Sequence, residues 1–378
     1  MNKAKGVFEV VSKLIMVFAL VYLFLLSIGL MSAAFKGFGK EFAETLISST
    51  SNPFIALFIG VFATSIVQSS STTTSIVVGM VGSGVLTVGN AVPIIMGANI
   101  GTAVTNTLVS LGHVSRREEF KRAIAGATVH DFFNLLCVAV MFPIEIATGF
   151  LQKMAEFLSR IVPTDISGAS FHSPVSAATK PVIKWFSHFL TDGLSISKET
   201  AYVVMLAVSF VIIFFALAFI VKIMKTLVMN RAEIVFDNIL TKNMGLALLG
   251  GFVFTVIVQS SSITTSLLVP LVASGVLTIE TAFPITMGAN IGTTVTAILA
   301  SLATGNINAI VIAFVHFLFN CVGVSVFFPI PFFRKIPLYL ANSLGELAFI
   351  KRRYAVLYVL GVYFFIPGIL IALSKFMG

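Results

Sequence analysis

Two stretches of this chain, residues 52–111 and 243–302, are copies of one segment and align without a gap. From Gln68 and Gln259 onward about two-thirds of the positions are identical, an internal repeat that any fold must accommodate. The first copy reads QSSSTTTSIVVGMVGSGVLT and then PIIMGANIGTAVT; the second reads QSSSITTSLLVPLVASGVLT and then PITMGANIGTTVT. The same register sets the apolar run Val10–Met31 over Ala201–Val221. After a short deletion, His130-Asp131-Phe132-Phe133-Asn134 matches His316-Phe317-Leu318-Phe319-Asn320, and Phe142-Pro143 matches Phe328-Pro329. Each repeat covers roughly 150 residues, so the two account for most of the chain.

The copies are written in apolar sequence. Charged residues are 10% of the chain and hydrophobic ones 57%, where a soluble domain carries about a quarter charged. Val10–Met31, Ala201–Val221 and Tyr354–Leu373 are each about 20 residues, enough to cross a hydrocarbon core of about 30 Å. The first run is full length without a small-residue cleavage site and reads as a retained helix. The net charge of +9 sits in short loops between apolar segments, as the positive-inside bias produces, so no nucleic-acid partner is expected. Cys137 and Cys321 both lie in apolar segments and make no disulfide framework or thiolate metal site.

Within each copy, one segment is polar at its centre. Phe54–Val67 is about 14 residues, or about 21 Å as a helix, too short to cross. Gln68–Ser71 interrupts it and a second apolar run returns from Ser75 to Leu86. This predicts a re-entrant hairpin whose polar break lies at depth, tolerated only where protein or a wet cavity surrounds it. Such a hairpin adds no net crossing, so the first repeat crosses three times and the second must be inverted. Loop charge agrees: Arg116, Arg117, Lys121 and Arg122 follow Leu111, whereas the matching Ala303–Asn308 has no charge. The stretch from Lys222 to Lys242, read as a loop, is basic again, as are Arg334, Lys335 and Lys351–Arg353. The expected fold is an all-α integral membrane protein of two inverted-topology repeats, each with a re-entrant helical hairpin. Residues 1–160 form the first repeat, 161–200 an extracytoplasmic connecting loop with some interfacial helix, 201–351 the second repeat, and 352–378 an additional C-terminal transmembrane helix. The loop charges put the N-terminus in the cytoplasm, and seven net crossings then put the C-terminus outside.

The break carries the chemistry. A half-helix beginning after Ser71 or Ser262 turns its free N–H groups and partial positive charge into the break. Ser69, Ser70, Ser71, Ser260, Ser261 and Ser262 add hydroxyls, and two opposed N-termini make a site for a tetrahedral oxyanion. The carbonyls ending the first half of each hairpin, with Gln68 and Gln259, offer oxygen to a hard cation. In the Gly-Ala-Asn-Ile-Gly-Thr segments, Gly97, Gly101, Gly288 and Gly292 allow close helix crossing. Thr102 and Thr105 share a face, as do Thr293 and Thr296, and could complete an oxygen cage for sodium, with Asn99 and Asn290 in support. Small polar residues also serve simply to pack helices; repetition of the whole string at symmetric positions argues for a site. Asp131 lies inside an apolar helix with no Lys or Arg at depth, so it needs a proton or a metal cation. Its repeat mate is Phe317. His130 and His316, matched in the repeat, are read as structural hydrogen-bonding residues. A dianion entering a site without basic side chains needs countercharge, which coupled cations supply.

The paired QSSS and GANIGT segments, with ATVHDFFN at Ala127–Asn134, resemble the type II sodium-dependent phosphate cotransporters over about residues 1–375. The resemblance implies sodium-coupled uptake of inorganic phosphate, not enzymatic activity, by alternating access around a midplane site. It implies phosphate at the two QSSS breaks and sodium ligation at Gln259, Ser260, Ser261, Thr293 and Thr296. Gln68, Thr102, Thr105, Asp131 and Asn134 complete the candidate sodium ligands. Asp131 resembles the pattern of electrogenic members, implying an extra sodium and net charge movement. Animal members carry cysteines in the large outer loop and a further span after Tyr354–Leu373. Their lack here implies a compact bacterial member in the inner membrane. Sodium is the coupling ion and no cofactor is expected; arsenate is an expected competitor, and the oligomeric state is left open. Two rivals stand: another oxyanion or proton coupling, and an intramembrane serine hydrolase.

Overall fold

In the computed structural model, residues 2–161, 174–239 and 243–377 are described, and regular structure among them is helical apart from turns. The first half comprises α1 (Asn2–Gly37), α2 (Gly39–Ser49), α3 (Pro53–Val67), α4 (Ser70–Ser83), α5 (Val88–Gly101), α6 (Val104–Ser110), α7 (Arg117–Thr148) and α8 (Phe150–Ser159). The second comprises α9 (Pro174–His188), α10 (Lys198–Ile239), α11 (Met244–Val258), α12 (Ser261–Ala273), α13 (Ile279–Thr304), α14 (Ile307–Phe327), α15 (Pro331–Ile350), α16 (Arg353–Leu360) and α17 (Ile366–Met377). Among the described residues, seven helical stretches are long and apolar enough to cross a membrane, the number of crossings counted from the sequence.

Each broken segment is encoded locally. Asn52 caps α3 by accepting from the Phe54 and Ile55 amides, with Pro53 in the first turn, where a missing N–H costs nothing. Asn243 caps α11 in the same way through the Gly245 amide. Both helices end on a glutamine in the left-handed region, Gln68 at φ 55° and Gln259 at φ 59°. The amide of Gln68 still reaches Thr64 O at 2.7 Å, and that of Gln259 reaches Thr255 O at the same distance. One residue later the chain is extended, and Ser69 and Ser260 cap α4 and α12 through the Thr72 and Ile263 amides. The break is therefore two residues long. This corrects the expectation that the half-helix starts after Ser71 or Ser262: the first serine of each string is the cap, and the next two already occupy the first turn.

Close crossings fix the halves of the core. A methyl group on Gly97 would run into the carbonyl of Leu57, and one on Gly60 into that of Ile94, so α3 and α5 approach backbone to backbone. Gly288 against Leu248 and Gly251 against Ile285 repeat the arrangement between α11 and α13. In membranes, where apolar surface is no scarcer in lipid than in protein, such small-residue contacts are what bring helices together. The halves interlock: α4 packs on α13 and α14, and α12 packs on α6 and α7. The last carbonyls of α4 and α12 are held across the halves. Asn306 Nδ2 donates to Gly82 O at 3.0 Å and Arg122 Nε to Ala273 O at 2.8 Å, and Gly82 and Ala273 are repeat mates.

Two expectations about connections change. The basic stretch from Lys222 is not a loop: α10 continues as helix to Ile239, and residues 240–242 lie outside the described residues. Arg334 and Lys335 belong to α15, whose first turn is set by Pro331. Of the connecting segment 161–200, residues 162–173 lie outside the described residues. Much of the remainder is α9 followed by a π-helical turn, Phe189–Gly193.

Candidate substrate and ion site

The two breaks line one cavity. It has a volume of about 260 Å³ and is walled by Val67–Thr72, Gln259–Ser262 and four residues of α10, Phe214, Leu217, Ala218 and Val221. A water occupies about 30 Å³ in the liquid, so the space admits a small oxyanion with its ions. No basic or acidic side chain is part of this wall. Its polarity comes from hydroxyls, the Gln68 and Gln259 side chains, and the amino ends of α4 and α12, each equivalent to roughly half a positive charge.

The serines divide by position. Ser69 and Ser260 are spent on capping; the Ser69 hydroxyl also pairs with Thr72 Oγ1 at 2.8 Å. Ser70, Ser71 and Ser261 are buried, Ser262 borders the same space, and Ser70 and Ser261 lend their carbonyls to Thr74 and Thr265. Thr296 Oγ1 donates to Gln259 Oε1 at 3.0 Å, and Gln259 Nε2 donates to Val256 O at 2.6 Å. Thus α13 is tied to the second break. In the first repeat, the matching Thr105 hydroxyl is buried and has no partner. Thr64 and Ser75 are likewise buried without partners, whereas their mates Thr255 and Ser266 bond to Thr264 and Asn106. Thr102 and Thr293 return their hydroxyls to Ala98 O and Ala289 O one turn back. Of the expected sodium ligands, Gln68, Gln259, Ser260 and Ser261 line the cavity; Thr102, Thr105, Asp131, Asn134, Thr293 and Thr296 are not part of its wall.

Beside this cavity runs a buried polar network across the halves. His130 Nδ1 faces the Asn106 amide nitrogen at 3.4 Å and Nε2 faces Asn290 Oδ1 at 2.5 Å. Nε2 also lies 3.2 Å from the Asn134 amide nitrogen, so the ring sits among three asparagine side chains. Asn290 Nδ2 donates to Asn134 Oδ1 at 2.7 Å, Asn134 Nδ2 to Asn99 O at 2.9 Å, and Asn320 Nδ2 to Asn99 Oδ1 at 3.3 Å. Asn99 and Asn290 thus hold the two halves together. Asn134 has its amide engaged in the same network. His130 makes hydrogen-bonding contacts in this network, while His316 Nδ1 is buried without a partner.

Asp131 is fully buried. Its Oδ2 accepts from Thr107 Oγ1 at 3.4 Å, and its Oδ1 has no hydrogen-bond partner. Among the described residues it has no ion pair.

Residues 23–161 and 212–328 match the family described as Na+/Pi-cotransporter. The chain belongs to that family. In an alignment of 462 positions, gaps included, it is 36% identical to sodium-dependent phosphate transport protein 2B of Pongo abelii, covering 99% of this chain and 67% of the relative. It is 36% identical to the 2B protein of Homo sapiens, covering 97% and 66%, and 34% identical to the 2A protein of Rattus norvegicus, covering 93% and 66%. The chain therefore spans about two-thirds of the length of these relatives. No solved structure matches it.

In this family member, several residues at the site carried no signal by type alone. Asn106 accepts from Thr265 Oγ1 at 2.7 Å and from Ser266 Oγ at 3.3 Å, joining α6 to the second hairpin. Thr107 reaches Asp131. Their repeat mates are Ala297 and Ile298, the same kind of departure as Asp131 against Phe317. Comparing polar residues between the copies would have found them; reading either copy alone does not.

Proposed function

We propose that this chain carries inorganic phosphate inward with sodium, as an electrogenic symporter working by alternating access, with phosphate held between the two QSSS breaks. The observation that carries this reading is the single cavity lined by both breaks and by the amino ends of α4 and α12. Free N–H groups and the Ser70, Ser71, Ser261 and Ser262 hydroxyls suit phosphate oxygens. With no Lys or Arg in the wall, sodium ions offset the negative charge, so neither substrate nor ion enters well alone. That mutual requirement is the physical basis of coupling. Gln259 with Thr296, and Gln68 with Thr105, offer oxygens for two of the ions, and Asp131 offers a charged oxygen for another, whose crossing moves net charge. Being isosteric with phosphate, arsenate competes.

Two contacts support re-entrant, inverted hairpins. Asn90, in the first turn of α5, donates to Ile47 O at 2.9 Å and Thr50 Oγ1 at 3.1 Å. The chain entering α3 and the chain leaving α4 therefore lie at the same end of the molecule. The end of α4 meets Asn306 before α14, whereas the end of α12 meets Arg122 near the start of α7. Residues 88–113 form one stretch long enough to cross a membrane, leading from the open end of the first hairpin towards Arg122, which supports hairpins that open at opposite ends. The basic residues around Arg122 favour that end as the cytoplasmic one, and on this reading the N-terminus lies on the same side of a bacterial inner membrane. Among the described residues no imidazole bonds a serine of either break, which leaves a hydrolase without its base.

Uptake of labelled phosphate into proteoliposomes, with a sodium gradient and with choline in its place, tests the reading. Phosphate uptake that ignores the sodium gradient overturns it.

A further inference from the structure

The C-terminal helical segment lies outside both repeats, yet it reaches the intramembrane carboxylate. Tyr358 in α16 packs its ring on Phe132, the neighbour of Asp131, with centroids 5.6 Å apart. Tyr363 is fully buried and meets Tyr358 edge to face at 6.3 Å. Both hydroxyls face the Asp131 carboxyl group. Each hydroxyl lies within hydrogen-bonding reach of the Asp131 carboxyl group and of the other, but no well-formed hydrogen bond closes on either hydroxyl or on Asp131 Oδ1. Three buried oxygens from two separate parts of the chain thus converge in loose mutual contact, where interiors leave few such groups without a well-formed bond.

The backbone explains the convergence. Residues five apart in a regular α-helix stand about 140° apart around the axis, too far to share a target. Between α16 and α17 the chain widens into a π-helical turn, Gly361–Phe365, with Tyr363 at its centre. Such turns recur at functional sites because they re-aim one side chain without ending the helix.

We infer that Tyr358 and Tyr363 are positioning ligands of the Asp131 ion, completing with Asp131 Oδ1 an oxygen site for a monovalent hard cation. The inference rests on the proposal that Asp131 holds a coupling sodium. A cation of single charge takes lone pairs from all three oxygens at once and neutralises the carboxylate. A water molecule leaves the carboxylate's charge uncompensated, and a proton on the carboxyl group would leave the site indifferent to sodium. The site is asymmetric like its surroundings: Asp131, Asn106 and Thr107 have apolar repeat mates, and the tyrosines belong to neither copy.

The test uses the full chain, purified in detergent without phosphate. Thermal stability is titrated with sodium against choline for the native protein, Tyr363→Phe, Tyr358→Phe, Asp131→Gly and the double variant Tyr363→Phe/Asp131→Gly. Each Tyr→Phe change keeps the ring and removes only the hydroxyl. The expected result is an increase of about tenfold in the sodium concentration giving half the stabilisation in each tyrosine variant, and no further change on adding Tyr363→Phe to Asp131→Gly. Charge moved per phosphate in proteoliposomes should fall in the tyrosine variants. Native sodium titrations in both tyrosine variants, alongside a shifted Asp131→Gly, overturn this inference alone. A native titration in Asp131→Gly overturns the reading beneath it. An additive shift in the double variant shows that the tyrosines act elsewhere and also overturns the inference.

Discussion

Ser261→Ala isolates the oxyanion contact from the architecture around it. The Ser261 side chain is buried at the first position of α12, and its hydroxyl donates to no protein group among the described residues. Its carbonyl, which accepts from Thr265 Oγ1 at 2.8 Å, survives the substitution. Alanine is also at ease in a first helical turn. Fold stability should therefore change little. A hydrogen bond to a charged partner contributes about 1.5–3 kcal/mol, and about 1.4 kcal/mol is a factor of ten in affinity. The phosphate concentration for half-maximal uptake should rise by about 10- to 150-fold at saturating sodium. The assay is initial uptake of labelled phosphate into proteoliposomes, with thermal stability of the same preparation as the control. The neighbouring Ser260→Ala should differ in kind, because loss of the cap costs about 1 kcal/mol of stability. An unchanged phosphate dependence in Ser261→Ala, with transport intact, refutes the assignment of phosphate to the breaks.

Other outcomes follow from the same geometry. Asp131→Gly should still couple phosphate uptake to sodium while moving no net charge, read as current per phosphate; an unaltered ratio refutes its role. Thr296→Val removes the donor to Gln259 and should raise the half-activating sodium concentration by about 2- to 10-fold, in line with a bond of about 0.5–1.5 kcal/mol; phosphate affinity at saturating sodium should hold. Gly288→Val forces α11 away from α13 and should lower the melting temperature in detergent or prevent folding, whereas Val276→Ala, on an exposed side chain, should not. Arg122→Met deprives the Ala273 carbonyl of its donor and should destabilise the end of α12 by about 1 kcal/mol, seen as faster amide exchange in Leu271–Gly275.

Much of the scaffold was legible because its signals are local or repeated. The glutamine–serine strings and the small-residue crossings are each encoded in a few adjacent residues, and the second copy checks the first. Helix length in the connections was not legible. Lys222 and Lys225 end the apolar run of α10 without breaking its helix, since lysine is a good helix former in the absence of Gly or Pro. The start of α4 and α12 was misjudged by two residues because serine is as much a cap as a loop residue. At the site, the cavity-lining strings were identifiable from their repetition. Asn106, Thr107, Tyr358 and Tyr363 were not, because their partners are more than 20 residues away and only the packing of α6, α7 and α16 brings them together.

The contacts of Asn306 with Gly82 and of Arg122 with Ala273 bear on how such a molecule changes shape. Each hairpin ends in a tether to the opposite half, and α4 and α12 each pack closely against helices of the other copy. A motion that separated residues 1–160 from residues 201–351 as two solid pieces would tear both tethers and strip both hairpins of their packing. The seams along which the protein can slide must run elsewhere, so each moving part is a composite containing sequence from both ends of the gene product. Duplication supplied the parts in pairs, and folding then redistributed them between the moving bodies.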